Sequence, residues 1–233
     1  MNSATRTLLI DGPAGAIDLA LDLPAGVPVG AAVIAHPHPL FGGTRDNKVA
    51  QTLARAMVGL GYTSWRPNFR GVGQSAGVHD EGVGETDDLL AVVAHARAHA
   101  ASIGVARPRL VLAGFSFGSY VQARVAARLR ERGHPADRLV LVGAAVSRFD
   151  VGSVPADTLV VHGEVDDTVP LQAVFDWARR QELPVVVLPG ADHFFHRKLT
   201  LLKRIVLGAL GALGTAAAAD ADTAPDAPAP GER

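Results

Sequence analysis

Residues 109–118, Arg109-Leu110-Val111-Leu112-Ala113-Gly114-Phe115-Ser116-Phe117-Gly118, decide how this chain is read. The run RLVLA reads as a strand. From Phe117 to Arg132 the spacing predicts a helix, ended by Gly133. Between the two stands a serine flanked by glycines two residues before and two after. That pattern suits a sharp turn where a Cβ at either glycine would collide with neighbouring backbone. A serine hydroxyl needs a partner base to become a nucleophile, and it must project from the backbone to meet substrate. The helix N-terminus behind it offers free N–H groups and a positive dipole end to a developing oxyanion. Ser116 is therefore the candidate nucleophile.

Two more loops carry chemistry. His162–Pro170 (HGEVDDTVP) follows the predicted strand Thr158–His162. A carboxylate there can fix the tautomer of a histidine base. Asp166 is nearer the strand end and is preferred; Asp167 is the alternative, or else a cap for the helix after Pro170. Gly190–His196 (GADHFFH) follows the predicted last strand, Pro184–Leu188. His193 is the candidate general base, and His196, one helical turn further on, reads as a surface or packing residue. Ser116, Asp166 and His193 thus follow one another in chain order, each after the C-terminal end of a predicted strand, where the crevice of an open α/β sheet lies.

Outward from these loops, strands and helices alternate. Thr5–Ile10 and Ala16–Leu23 read as a hairpin. Gly30–Ala35, Thr63–Phe69 and Arg138–Val142 read as further strands. Helices are expected around Val49–Leu60, Thr86–His99, Leu171–Gln181 and Phe194–Leu213. The pattern is α/β: a mostly parallel central sheet of about eight strands with helices on both faces. The tail from Thr215 is rich in Ala, Pro and Asp without apolar periodicity, so residues 215–233 are expected to be disordered and 1–214 to form one domain.

Composition narrows the function. The 233 residues are 48 % hydrophobic and 19 % charged with a net charge of −1, a globular balance with no strong field to hold nucleic acid or an anionic membrane. There is no cysteine, which excludes disulfides, thiolate metal sites and a cysteine nucleophile. The apolar run Leu8–Ile10 is too short for a signal peptide, and Ile205–Leu213 is too short for a membrane span. The expectation is a cytoplasmic monomer or homodimer with no cofactor, metal, nucleic-acid or membrane partner. The run Glu85, Asp87, Asp88 reads as a helix start and not as a metal site.

Over roughly residues 5 to 213 the chain resembles the α/β-hydrolase superfamily, whose triad runs Ser, Asp, His behind a GxSxG elbow. It is similar in particular to a subfamily of small bacterial hydrolases, through HPHPLFGGTRDNKV (His36–Val49), RPNFRGVGQSAG (Arg66–Gly77), GETDDL (Gly84–Leu89), GFSFG, HGEVDDTVP and GADHFF. The resemblance implies the α/β-hydrolase fold and the triad, but no substrate. It also implies an oxyanion hole made by the backbone N–H of Phe117 and a second N–H from the loop after Gly30–Ala35. That loop reads His-Pro twice, where larger relatives carry His-Gly. Aligning the second pair makes Leu40 the donor and is favoured; aligning the first makes it His38. His36 and His38 are read as shaping the loop or lining the cleft mouth. Asn68 and Arg70 are placed to touch substrate or to act structurally, and the structural role is favoured.

Larger hydrolases insert a lid after the strand equivalent to Arg138–Val142. Here only Gly143 to Asp157 follows, so no lid domain is expected and the cleft should be open. Its border is expected at Leu40, Phe41, Phe115, Phe117, Val169 and Phe194, with His38, Phe41, Phe115, Val169 and Phe194 contacting substrate. An open apolar cleft suits small acyl esters. The implied activity is hydrolysis of a small-molecule carboxylic ester through an acyl-serine intermediate. A thioesterase or other acyl hydrolase is the alternative, and a non-catalytic binding protein on the same fold is the alternative of another class. Dehalogenation would need an aspartate at position 116.

Overall fold

A computed structural model describes residues 5–221, with side chains through residue 211. Strands β1 (Arg6–Gly12) and β2 (Gly15–Asp22) form the expected hairpin, and β3 (Gly30–Ala35) leads to α1 (Lys48–Gly59). There follow β4 (Tyr62–Pro67), α2 (Val83–Ser102), β5 (Arg109–Phe115) and α3 (Phe117–Glu131). The chain continues through β6 (Arg138–Val142), β7 (Leu159–Gly163), α4 (Leu171–Arg179), β8 (Val185–Leu188) and α5 (Leu199–Ala221).

The eight strands make one sheet in the order β1-β2-β4-β3-β5-β6-β7-β8. β1, β2 and β4 pair antiparallel, and every pair from β4 to β8 is parallel. Side chains alternate across a strand, so a run such as RLVLA feeds two cores at once. Leu110 and Leu112 join Leu89, Val93, Val121 and Val125 of α2 and α3 on one face. Val111 and Ala113 join Leu53 and Met57 of α1, with Leu202 and Val206 of α5, on the other. Burial on both faces explains why β3, β5 and β6 read as continuous apolar runs and not as alternating ones.

Connections leave β3 and β5 in opposite senses. β3 runs through α1 to β4 on one side, and β4 crosses back through α2 to β5 on the other. The crevice opens at such a switch point, beyond the C-terminal ends of β3 and β5. Between β6 and β7 no helix or strand is inserted, so the sheet end carries no lid.

Two boundaries differ from the sequence reading. α5 begins at Leu199 and not at Phe194, because Phe195 and Arg197 take φ values of 55° and 59°, which break a helix. α5 also runs past residue 214 to Ala221, through an alanine-rich stretch that favours helix and lacks a breaker. The remainder of the expected tail, 222–233, lies outside the described residues.

The segment after β4 is held by ion pairs and not by periodic packing. Arg70 grips Asp88 of α2 with two bonds, Nε to Oδ2 at 2.7 Å and Nη2 to Oδ1 at 2.9 Å. Asn68 donates to Asp18 at 2.9 Å and accepts the Arg45 N–H at 2.9 Å, and Arg45 also pairs with Asp18. Both residues are structural, as the sequence reading holds. Glu85 sits in the first turn of α2 and accepts the Gly82 N–H at 2.9 Å. Replacing Arg70 with Ala leaves Asp88 buried without its partner, and urea denaturation should show a loss of about 3 kcal/mol of stability.

Candidate active site

β5 ends in a turn so tight that it dictates its own sequence. Ser116 sits at φ 55°, ψ −120°, between the last residue of β5 and the first of α3. A Cβ on Gly114 would come within 2.2 Å of the Gly118 carbonyl oxygen. One on Gly118 would lie 2.5 Å from the carbonyl oxygens of Ala35 and His36. The turn is tied down by the Ser116 N–H, which donates to Val142 O at the end of β6 at 2.9 Å. Ser116 Oγ is thereby pushed out beyond the sheet.

The loops after β7 and β8 meet it there. Ser116 Oγ lies 3.0 Å from His193 Nε2, and His193 Nδ1 lies 2.7 Å from Asp166 Oδ2. With the Nδ1 proton donated to the carboxylate, Nε2 is left to accept from the serine hydroxyl. Asp166 is buried, and its Oδ1 accepts the N–H groups of Thr168 and Val169 at 2.9 and 2.7 Å. Burial works to raise the pKa of Asp166, but the His193 hydrogen bond and the Val169 N–H outweigh it and hold the group below the usual carboxylate range. Asp167 is exposed and turned to the Thr168 hydroxyl, and the N-cap of α4 is Pro170, so Asp167 neither reaches His193 nor caps the helix. His196 is exposed and bonded to Asp192, away from Ser116.

The loop after β3 divides its two histidines. His36 is fully buried: its Nδ1–H donates to Pro37 O at 2.7 Å, and its Nε2 accepts the Phe69 N–H at 2.9 Å. It clamps the end of β3 to the segment after β4. His38 caps a short 3-10 turn, Pro39–Phe41, by accepting the Leu40 N–H on Nδ1 at 3.3 Å. That bond corrects the expectation for Leu40. Its N–H is spent on the cap, its side chain is exposed, and it does not line the cleft. The N–H groups of His38 and Phe117 have no acceptor among the described residues.

The cleft over Ser116 measures about 370 Å³. His38, Phe41, Phe117, Val169 and Phe194 line it, as expected. Phe115 does not: it is fully buried beside the His193 ring, with centroids 5.0 Å apart, because β5 turns it to the face that packs against α1 and α5. Asn47, Arg148, Phe149 and Thr168 also line the cleft and went unread. Arg148 and Phe149 come from the segment between β6 and β7, which has no periodic pattern. Phe149 is placed by stacking on Tyr120 at 4.8 Å, a contact between distant parts of the chain. Among the described residues no group of three or more His, Asp or Glu side chains is arranged to hold a metal, and no helix is long and apolar enough to cross a membrane.

With this geometry in view, the likenesses to known proteins are specific. An α/β serine hydrolase without a lid from Xanthomonas campestris is 39 % identical, with 91 % of this chain and 96 % of that one covered, at a TM-score of 0.82. The chain belongs to the α/β-hydrolase superfamily. An α/β serine hydrolase homologue from Coxiella burnetii is 38 % identical over 88 % of this hydrolase and 97 % of that chain, with a TM-score of 0.79. An uncharacterized protein of Rickettsia prowazekii is 30 % identical over 204 residues, 82 % of each chain. No family model matches this hydrolase.

Burial without a charged partner holds the pKa of His36 down to about 4, from an ordinary 6.5. The unfolded chain therefore binds this proton near pH 6.5 while the folded hydrolase refuses it until about 4. Stability from His36 is complete above pH 6.5 and is lost as pH falls toward 4, by about 1.4 kcal/mol per pH unit. Urea denaturation between pH 7.5 and 5 should show the decline, and the His36 ring resonances should not move over that range.

Proposed function

We propose that this hydrolase cleaves small carboxylic esters through an acyl-serine intermediate. The observation that carries the reading is the continuous chain from Ser116 Oγ through His193 to buried Asp166, with links of 3.0 and 2.7 Å. Ser116 Oγ attacks the ester carbonyl carbon while His193 Nε2 takes its proton. Asp166 keeps the imidazole in the required tautomer and stabilises the imidazolium that forms. The carbonyl oxygen becomes an oxyanion and accepts the N–H groups of Phe117 and His38, with the positive end of α3 behind them. The intermediate collapses, the C–O bond to the alcohol breaks, and His193 returns the proton to the leaving oxygen. Water then attacks the acyl-serine by the same route in reverse.

The second oxyanion donor is assigned to His38 because Leu40 is committed to the cap. Proline has no N–H, so of the first four residues of the loop after β3 only His36 and His38 offer one. The substrate class follows from the lidless sheet end and the apolar lining of the cleft, Phe41, Phe117, Phe149, Val169 and Phe194. Such a cleft admits small or flexible acyl groups and does not enclose them.

Replacing Ser116 with Ala should abolish turnover of 4-nitrophenyl acetate and labelling by a fluorophosphonate, with the thermal melt retained. Full activity in that variant, or label on another residue, rejects the assignment. Replacing Asp166 with Asn should lower kcat by about 10⁴-fold, with little change in KM.

A further inference from the structure

The polar side chains that line the cleft carry no negative charge. Its ionisable lining residues are His38, Arg148 and His193, and no carboxylate lines it. Arg148 stands on the rim and pairs with no acid among the described residues. The nearest carboxylate in sequence, Asp150, is turned to the Gly152 N–H at 3.1 Å. Arg148 is nevertheless held in place at its backbone: its N–H donates to Ala145 O at 3.2 Å, and the next residue, Phe149, stacks on Tyr120.

Two further donors face the same space. His38 accepts the Leu40 N–H on Nδ1, so its proton sits on Nε2. Asn47 spends its side-chain oxygen on the Val49 and Ala50 N–H groups at 2.8 and 3.4 Å, which leaves its NH2 group without an acceptor. The carboxylates whose charge reaches His38 are Glu81 and Glu85, and both lie outside the lining. Glu85 is buried and committed to His79 and to the N–H groups of Asp80 and Gly82. Two free donors, His38 and Asn47, and one permanent cation, set among phenylalanines, are complementary to an apolar substrate with one anionic end.

We infer that the preferred esters of this hydrolase carry a second, ionised acid group, and that Arg148 is the specificity residue that reads it. The inference rests on the ester-hydrolase reading above and narrows it to a substrate class. Arg148 touches no reacting atom; it selects the substrate. The anion can belong to the acyl part or to the alcohol part, and matched substrates separate the two.

The test compares kcat/KM for mono-4-nitrophenyl adipate with 4-nitrophenyl hexanoate, and for 4-carboxyphenyl acetate with phenyl acetate. In one of the two pairs the wild type should prefer the anionic member by about three- to tenfold, the range of a partly exposed ion pair, and the preference should shrink in high salt. The variant Arg148→Glu should reverse it. Arg132→Glu, at the far end of α3 from Ser116, changes the net charge equally and should leave the ratio intact. Which pair responds tells whether the anion is on the acyl or the alcohol side. Equal ratios in wild type, Arg148→Ala and Arg148→Glu overturn the inference, as does a wild-type preference for the neutral member of both pairs. If the wild type hydrolyses none of the four, the ester-hydrolase reading has failed by itself. Calorimetric titration of Ser116→Ala with monomethyl adipate, with and without Arg148→Glu, then still decides anion recognition: loss of binding in the double variant supports it, and no binding in either overturns it.

Discussion

The structure turns on a crowded corner. The turn between β5 and α3 brings the backbone of Gly118 against the carbonyls that end β3, and Ser116 bonds to the carbonyl that ends β6. Three adjacent strands therefore hold one residue in a backbone conformation that costs about 1–3 kcal/mol. The same crowding pushes the hydroxyl outward, starts α3 directly behind it and leaves the Phe117 N–H without a helical partner. An outward-facing hydroxyl and the free Phe117 N–H behind it are thus two results of one steric constraint.

Around that corner, identical side chains receive different chemistry from their surroundings. His36 has both ring nitrogens committed to backbone groups, and burial keeps it neutral. His162, at the end of β7, donates its Nε2–H to Val169 O at 2.9 Å, and burial lowers its pKa as well. His193 has a carboxylate on one nitrogen and a hydroxyl on the other. His38 spends one nitrogen on a backbone cap and keeps the other for the cleft. A histidine's role here is a property of what meets its two nitrogens, and for His193 those partners come from two other loops.

Much of this was legible in the chain. Burial on both faces makes the inner strands uniformly apolar, so β3, β5 and β6 stood out from their composition alone. The elbow was legible because its sterics demand glycine at two fixed offsets. Asp166 and His193 were legible from their places after β7 and β8. The start of α5 was not, because Phe195 and Arg197 adopt positive φ without being glycine, and nothing in their identity announces it. Leu40 misled because a motif alignment counts residues but does not show which N–H a neighbouring ring has taken. Phe115 misled because Ser116 and Phe117, which follow it in the elbow, line the cleft, while the alternation of the strand packs Phe115 into the core beside Val111 and Ala113.

The sequence by itself determined the α/β alternation, the position of the strained serine and the chain order of its two partners, since each depends on local periodicity or local sterics. Tertiary structure decided which N–H groups remain free over the cleft, which of two adjacent aspartates meets the histidine, and that Arg148 and Phe149 join the site. Those outcomes depend on residues far apart in the chain packing at one sheet end, and no local pattern records them.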